Sequence, residues 1–199
     1  MYTHERPPPK SKSAAIPPPP FFPEYNSLMN AYLTTRELSY PIAISNGWYP
    51  TSDSNIPRIV IPCTNSKNSC YYQARAMIDS NLRYKSPNTS REDSIVWLWG
   101  QPGDNRCVIT EGPMDALAAA EICGYAIAVM GSKPPSEVFI FIKNLLNLIG
   151  CCELIIVPDL DNLEFGALIT SQLAADIPIK IVLPLAKDLA ATKRKDRKV

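Results

Sequence analysis

Residues 106–131 read RCVITEGPMDALAAAEICGYAIAVMG, and residues 153–161 read ELIIVPDLD. In the first stretch the apolar run CVIT stops at Glu111-Gly112, an alanine-rich run closes at Gly124, and a second apolar run, AIAVMG, follows. Short apolar runs bounded by turn residues predict buried strands, and the alanine-rich stretch predicts a helix ended by its glycine. Outward from this core the pattern repeats. SIVWLWG at 94–100 and KIVLPL at 180–185 read as further strands. SEVFIFIKNLLNLIG, capped at Ser136, and LEFGALITSQLAAD read as helices on either side of the strand ELIIVPD. Continuous apolar strands separated by helices are the signature of a parallel sheet covered on both faces. The expected class is α/β, a Rossmann-type parallel sheet with helices on both faces over residues 94–190. Right-handed crossovers gather the loops after its strands along one edge, where ligands of open α/β sheets bind.

Upstream the texture changes. From Met1 to about Pro23 the chain is MYTHERPPPKSKSAAIPPPPFFP, proline-rich and without apolar periodicity, so residues 1–24 are expected to be a mobile, polyproline-like tail, either a spacer or a docking segment. NSLMNAYLTTREL, from Asn26 to Leu38, places Leu28, Tyr32 and Leu33 on one helical face with Asn26 or Ser27 as cap. RIVIPC and CYYQARAM, joined by TNSKNS, read as a hairpin. Residues 25–93 are thus expected to form a small helix-plus-β-hairpin subdomain ahead of the sheet. Between Arg58 and Arg91 it carries Arg58, Lys67, Arg75, Arg83, Lys85 and Arg91 against the single acid Asp79, with Tyr71, Tyr72 and Tyr84 interleaved. Residues 191–199 form a basic tail, KRKDRK within it, which reads equally as solvated or as a nucleic-acid contact.

The 199 residues are 46% hydrophobic and carry 20 Lys and Arg against 19 Asp and Glu, so a net charge of +1 leaves any polyanion affinity to local patches. The six cysteines include no C-x-x-C pair and the only histidine is His4, which argues against zinc. No apolar run approaches a membrane span and no signal-like h-region follows the start, so a soluble protein of a reducing compartment, the cytoplasm, without membrane partners is expected.

Chemistry is expected at four carboxylates. Glu111 follows one strand, Asp115 lies in the first turn of the next helix, and Asp159 and Asp161 end another strand. Carboxylates clustered at strand ends repel one another unless a cation offsets the repulsion. With no usable histidine or thiol pair, an oxygen-only set suits Mg2+ or Mn2+, which keeps waters and takes substrate phosphates. The plainer reading is a first-turn acid favouring the helix dipole for Asp115 and a common surface-loop acidic pair for Asp159 and Asp161; the combination of E-G-x-x-D with D-x-D carries the argument against it.

These residues resemble the topoisomerase–primase (Toprim) family. VITEGPMDALAAAEICGYAIAVMGS is similar to its first motif and LIIVPDLD to its second, and E-G-x-M-D is closer to bacterial-type and phage DNA primases than to topoisomerases. NAYLTTREL, the hairpin and LRYKSP resemble the small N-terminal part of that catalytic core, and LPLAKDLAA resembles the Lys-Asp element after the last strand, so the likeness spans roughly residues 26–192. One departure is the glycine after the D-x-D, delayed to Gly166, which displaces the expected helix start.

The resemblance implies roles. Glu111, with Asp115, would be the catalytic acid/base; Glu111, Asp159 and Asp161 would hold Mg2+ or Mn2+; Asp188 would support them. Arg58, Lys67, Arg75, Arg83, Lys85 and Lys187 would bind nucleic acid or nucleotide. The implied function is primer synthesis on single-stranded DNA from ribonucleotides during replication, alongside a replicative helicase or another replication protein, in the bacterial host cytoplasm if the chain is phage-encoded. A metal-dependent nuclease and a non-catalytic nucleic-acid- or protein-binding module of the same fold are the alternatives.

Overall fold

The computed structural model describes residues 17–67, 70–88, 91, 93–173 and 177–198. The leader from Met1 to Ile16 and the end of the last expected helix, 174–176, lie outside the described residues. Pro17–Pro23, read with the tail, lies beside the first strand instead. The Tyr49 hydroxyl donates to the Pro19 carbonyl at 2.9 Å, the Thr51 hydroxyl to that of Pro20 at 2.7 Å, and the Phe22 N–H to that of Pro50 at 3.1 Å.

Helix α1 (Asn26–Thr35) buries Met29 and Leu33, four residues apart on one face. Asn26 begins this helix rather than capping it. The helix stops short of the expected Leu38 because Glu37 takes a left-handed φ of 55° and reverses the chain. Helix α2 (Tyr40–Ser45) follows, with the Ser39 hydroxyl accepting from the Ile42 N–H at 3.3 Å as N-cap. Strands β1 (Tyr49–Asp53) and β2 (Ile56–Cys63) form a hairpin whose two turn residues, Ser54 and Asn55, have φ of 50° and 62°, the geometry that matches strand twist. The hairpin read from the sequence is present: β2 pairs antiparallel with β3 (Tyr71–Ala76), Arg58 opposite Ala76 and Cys63 opposite Tyr71. The short β4 (Tyr84–Lys85) completes a four-stranded antiparallel sheet.

The second sheet has five strands, β5 (Val96–Trp99), β6 (Arg106–Thr110), β7 (Tyr125–Ala128), β8 (Glu153–Ile156) and β9 (Ile179–Ile181), ordered β5-β7-β6-β8-β9. All neighbours are parallel except β5, which pairs antiparallel with β7. The link from Gly100 to Asn105 is too short to carry the chain back for a parallel start, so β5 runs against the others at the edge.

Helix α3 (Pro113–Ala120) covers one face, and α4 (Ser136–Leu148) and α5 (Glu164–Leu173) cover the other, the α/β class the pattern predicted. Ser136 opens α4 but Pro135, not Ser136, sits at its N-cap. Alternation along the strands sorts the core. Val108, Ala126, Ala128 and Ile155 face α3, whereas Cys107, Ile109, Ile127, Leu154 and Ile156 face α4 and α5. All eight residues of α3 are buried, because the small subdomain closes over its outer side: Met29, Leu33, Ala43 and Trp48 join Ala116–Ala120 in one apolar core. Close approach explains two glycines. A Cβ on Gly100 would lie 2.2 Å from the Cys123 carbonyl oxygen, and one on Gly124 would lie 1.5 Å from that of Asp104.

Within the basic run near the end Lys193, Arg194, Lys195 and Lys198 are exposed, as a solvated tail would have them, and Arg197 alone turns back into the core. Arg197 is only 5% exposed and meets the Glu121 carboxylate at 3.2 Å, and Arg194 meets the same group at 3.0 Å.

Candidate active site

The carboxyl ends of β6 and β8 deliver the acids. Thr110 ends β6, and its hydroxyl donates to the Gly112 carbonyl at 3.0 Å, shaping the turn that presents Glu111. Gly112 is the N-cap of α3, and a Cβ there would stand 3.0 Å from Asp115 Oδ2, so the glycine leaves room for that carboxylate in the first helical turn. Asp159 lies just past β8. Lys187 and Asp188 come from the segment after β9, whose Ala190 N–H donates to Asp115 Oδ1 at 2.8 Å. Glu111, Asp115, Asp159 and Asp188 line one cavity of about 360 Å³.

The opposite wall belongs to the small subdomain. Gln73 and Arg75 share a face of β3, and with Arg83, Tyr84 and Arg36 they line the same cavity. Arg75 donates to the hydroxyls of Tyr32 and Tyr84, and its guanidinium lies over both rings, 5.9 and 4.9 Å from their centroids. Arg36 lies over the Tyr32 ring at 5.0 Å. Among the described residues no ion pair joins Arg36, Arg75 or Arg83 to the acids across the cavity. A positive wall and a negative floor thus face each other unneutralised.

This arrangement perturbs the floor. Burial, reinforced by the charges of Asp188 and Asp159, pushes the Asp115 carboxyl up to about 7 against the pull of the Ala190 N–H. Burial, then the charges of Glu111, Asp188 and Asp161, pushes Asp159 up to about 6. Such a cluster is relieved by a cation, and its donors are oxygens alone, the chemistry of Mg2+ or Mn2+. Among the described residues no three His, Cys, Asp or Glu side chains lie close enough to hold an ion unaided. An ion held here would therefore have to complete its shell with waters or substrate phosphates.

The expected metal trio is not assembled as written. Asp161 is turned outward, its side chain 62% exposed, and pairs with Lys187 at 3.2 Å without lining the cavity. The cause is a tight turn in which the Asn162 N–H donates to the Asp159 carbonyl at 2.9 Å, ejecting Leu160 and Asp161. Asn162 returns inward, and its amide donates to Glu111 Oε1 at 2.9 Å. Asn162, Arg36 and Gln73 are the site residues that sequence reasoning missed. Asn162 stood beside the D-x-D motif, but nothing in the sequence placed Arg36 or Gln73 at the cavity.

The expected basic residues divide. Arg75, Arg83 and Lys187 line the cavity. Arg58 does not belong with them: it is 1% exposed, donates to the Ala74 and Leu82 carbonyls at 3.2 and 3.1 Å, and lies 3.6 Å from Asp53. Lys85 pairs with the same Asp53 at 2.8 Å on the outside of the small sheet, and Lys67 is exposed on the β2–β3 turn, so neither lines the cavity. Arg91 donates to the Met130 carbonyl and so braces the loop after β7, where Met130 holds a left-handed φ of 59° beside the cavity. Of the tyrosines, Tyr71 packs in the core, Tyr72 lines a separate groove with Tyr49, and Tyr84 serves Arg75.

Among the described residues no helix is long and apolar enough to cross a membrane. No protein-family model matches the chain, and no curated protein sequence matches it. Solved structures do. The primase fragment of the bacteriophage T7 primase-helicase aligns with a TM-score of 0.55 at 16% identity, covering 79% of this chain and 66% of that one. A chain of the bacteriophage T7 lagging-strand DNA polymerase complex, which contains primase domains of two gp4 subunits bound to an RNA/DNA hybrid and dTTP, aligns at 0.53 and 17% identity over 78% of this chain and 80% of that one. The Aquifex aeolicus primase, comprising zinc-binding and RNA polymerase domains, aligns at 0.59 and 13% identity over 83% of this chain. The chain spans 66% of the T7 fragment and 53% of the Aquifex chain. At these identities the likeness is one of architecture, and the architecture is that of primase domains.

Proposed function

We propose that the chain is a Toprim-type catalytic core of the DNA primase class, which binds single-stranded DNA and ribonucleotides and supports Mg2+- or Mn2+-dependent primer synthesis. The observation that carries this reading is the unpaired confrontation of Glu111, Asp115, Asp159 and Asp188 with Arg36, Arg75 and Arg83 across one cavity. Glu111 and Asp159 would hold the ion, backed by Asp188, and the ion would neutralise charge on the transferring phosphoryl group and align the attacking hydroxyl. Asn162 fixes the orientation of Glu111. Arg75, preorganised by two tyrosine hydroxyls, and Arg83 meet phosphate oxygens, which gives salt-sensitive affinity. The architectural neighbour complexed with an RNA/DNA hybrid and dTTP makes a template and nucleotides the first ligands to try. Replication proteins, a helicase among them, are the partners proposed, and the cytoplasm of a bacterial host the setting.

The test is template-dependent synthesis by the full chain from ribonucleotides with Mg2+ or Mn2+. The wild type extends and Glu111→Gln and Asp159→Asn do not. Synthesis that survives both substitutions, or a wild type inert with either metal on varied single-stranded templates, overturns the reading. Fragmentation of labelled DNA with metal alone reassigns the site to a nuclease.

A further inference from the structure

The acids of the floor do not hold their own places, because two of them depend on the segment between Lys187 and Thr192. That segment carries Lys187, Asp188, Ala190 and Ala191 to the cavity and supplies the Ala190 N–H that anchors Asp115. Asp188 Oδ1 accepts from the Ala191 N–H at 2.7 Å, so its carboxylate is set by the same turn. The segment belongs to no strand or helix, and a bare turn is a poor mount for a site that must be held to a fraction of an ångström.

Arg197 supplies the missing rigidity. Its Nε donates to the Leu189 and Thr192 carbonyls at 3.3 and 3.0 Å, and its Nη2 to those of Ala190 and Arg36 at 3.4 and 3.3 Å. Its Nη1 donates to the Glu37 carbonyl at 2.9 Å and to Glu121 Oε2 at 3.2 Å. One buried guanidinium therefore ties together the turn carrying Asp188, the corner carrying Arg36, and the C-terminal end of the helix that carries Asp115. Each of the three elements delivers a cavity residue, while Arg197 itself does not line the cavity. Glu121 binds the assembly further by accepting from the Ser39 N–H.

We propose, on the primase reading, that Arg197 is a positioning residue of the candidate active site: its guanidinium sets the 187–192 turn, and through it Asp188 and Asp115, in the geometry that receives the metal. Only a guanidinium serves. Its planar set of N–H donors reaches carbonyls on several sides at once, whereas an ammonium keeps the charge but not the fork.

The experiment compares the full chain with Arg197→Lys, with Lys195→Ala as an exposed control from the same run. Three quantities are read: amide hydrogen exchange at Ala190 relative to Ile155 in the central strand β8, the Mn2+ binding isotherm, and kcat against KM for template. In folded Arg197→Lys the Ala190-to-Ile155 exchange ratio rises at least about tenfold. The Mn2+ dissociation constant rises about tenfold or more, the usual effect of losing an outer support. The value of kcat falls while KM for template, set by Arg75 and Arg83, stays within about twofold. Lys195→Ala changes none of these. A folded Arg197→Lys with the wild-type exchange ratio and Mn2+ affinity overturns the proposal. If Arg197→Lys does not fold, Glu121→Gln replaces it and shifts the same quantities in the same direction by less; no shift there is equally fatal. A wild type that neither binds Mn2+ nor makes primers defeats the primase reading, and the exchange ratio alone then decides the role of Arg197.

Discussion

The floor and the wall of the cavity carry opposite charge by opposite means. Of the floor's acids Glu111 and Asp159 stand at the ends of buried parallel strands, Asp115 in a first helical turn and Asp188 on the turn after β9, and burial with mutual repulsion raises Asp115 to about 7 and Asp159 to about 6. The wall's cations come from the small subdomain, and two of them, Arg36 and Arg75, rest on tyrosine rings rather than on carboxylates. The framework shows the contrast, since Arg58 and Arg197 meet carboxylates and carbonyls and are buried by them. The molecule pairs the arginines that hold it together, whereas among the described residues Arg36, Arg75 and Arg83 at the cavity have no carboxylate partner, and of the cavity's cations Lys187 alone is paired, with Asp161 at the rim.

Breaking the floor gives the largest effect. Glu111→Gln or Asp159→Asn lowers primer synthesis at least about 100-fold. Asp159→Asn also raises the melting temperature of the metal-free chain, because it removes repulsion; a calorimetric scan beside the synthesis assay checks both signs. A melting temperature that falls below the assay temperature, so that unfolding accounts for the lost activity, would assign Asp159 to the framework instead.

Exchanging wall for framework sharpens the comparison. Arg58→Ala removes the buried donor to the Ala74 and Leu82 carbonyls while Asp53 keeps Lys85, a loss of about 2 kcal/mol of stability by denaturant unfolding. Arg75→Ala weakens single-stranded DNA binding about tenfold and reduces its salt dependence, with the smaller stability change. If the two variants exchanged phenotypes, the division between paired and reserved arginines would be wrong.

The floor's protonation gives a third test. Asp115 and Asp159 keep protons in the folded chain at pH values where the unfolded chain has released them. The stability that these two protonated carboxyls contribute to the metal-free chain is therefore full below the ordinary carboxylate range and is lost as pH rises through about 6 and about 7. Melting temperatures across that range should fall with pH without metal and recover with Mn2+, more so at the higher pH. The smallest effect is expected at the rim, where Asp161→Asn changes synthesis by less than about threefold, since its partner Lys187 is itself exposed.

Much of this was written in residues 106–131 and 153–161. Apolar runs of strand length, an alanine-rich helix closed by Gly124, and acids at the strand ends can be read without coordinates, because burial on both faces and the N-cap turn dictate them locally. The hairpin was legible for the same reason, whereas β1, with Pro50 and Asp53 in it, and the two-residue β4 give no periodic signal. The outward turn of Asp161 was not legible, since the D-x-D says that both acids leave the strand end but not how the turn closed by Asn162 points each of them. Arg58 was misjudged as a binding residue although it opens the apolar run RIVI, a hint that it lies within the core. The role of Arg197 was out of reach, since it depends on carbonyls of Arg36 and Glu37, about 160 positions earlier.

The most direct test of the central claim, that an acidic floor waits for a divalent ion beneath a phosphate-binding wall, is the anomalous map of a crystal soaked in Mn2+. The account predicts a peak between Glu111 and Asp159 on the cavity side, abolished in Asp159→Asn. No peak there at saturating Mn2+, or one seated only on Asp161 at the rim, would contradict it.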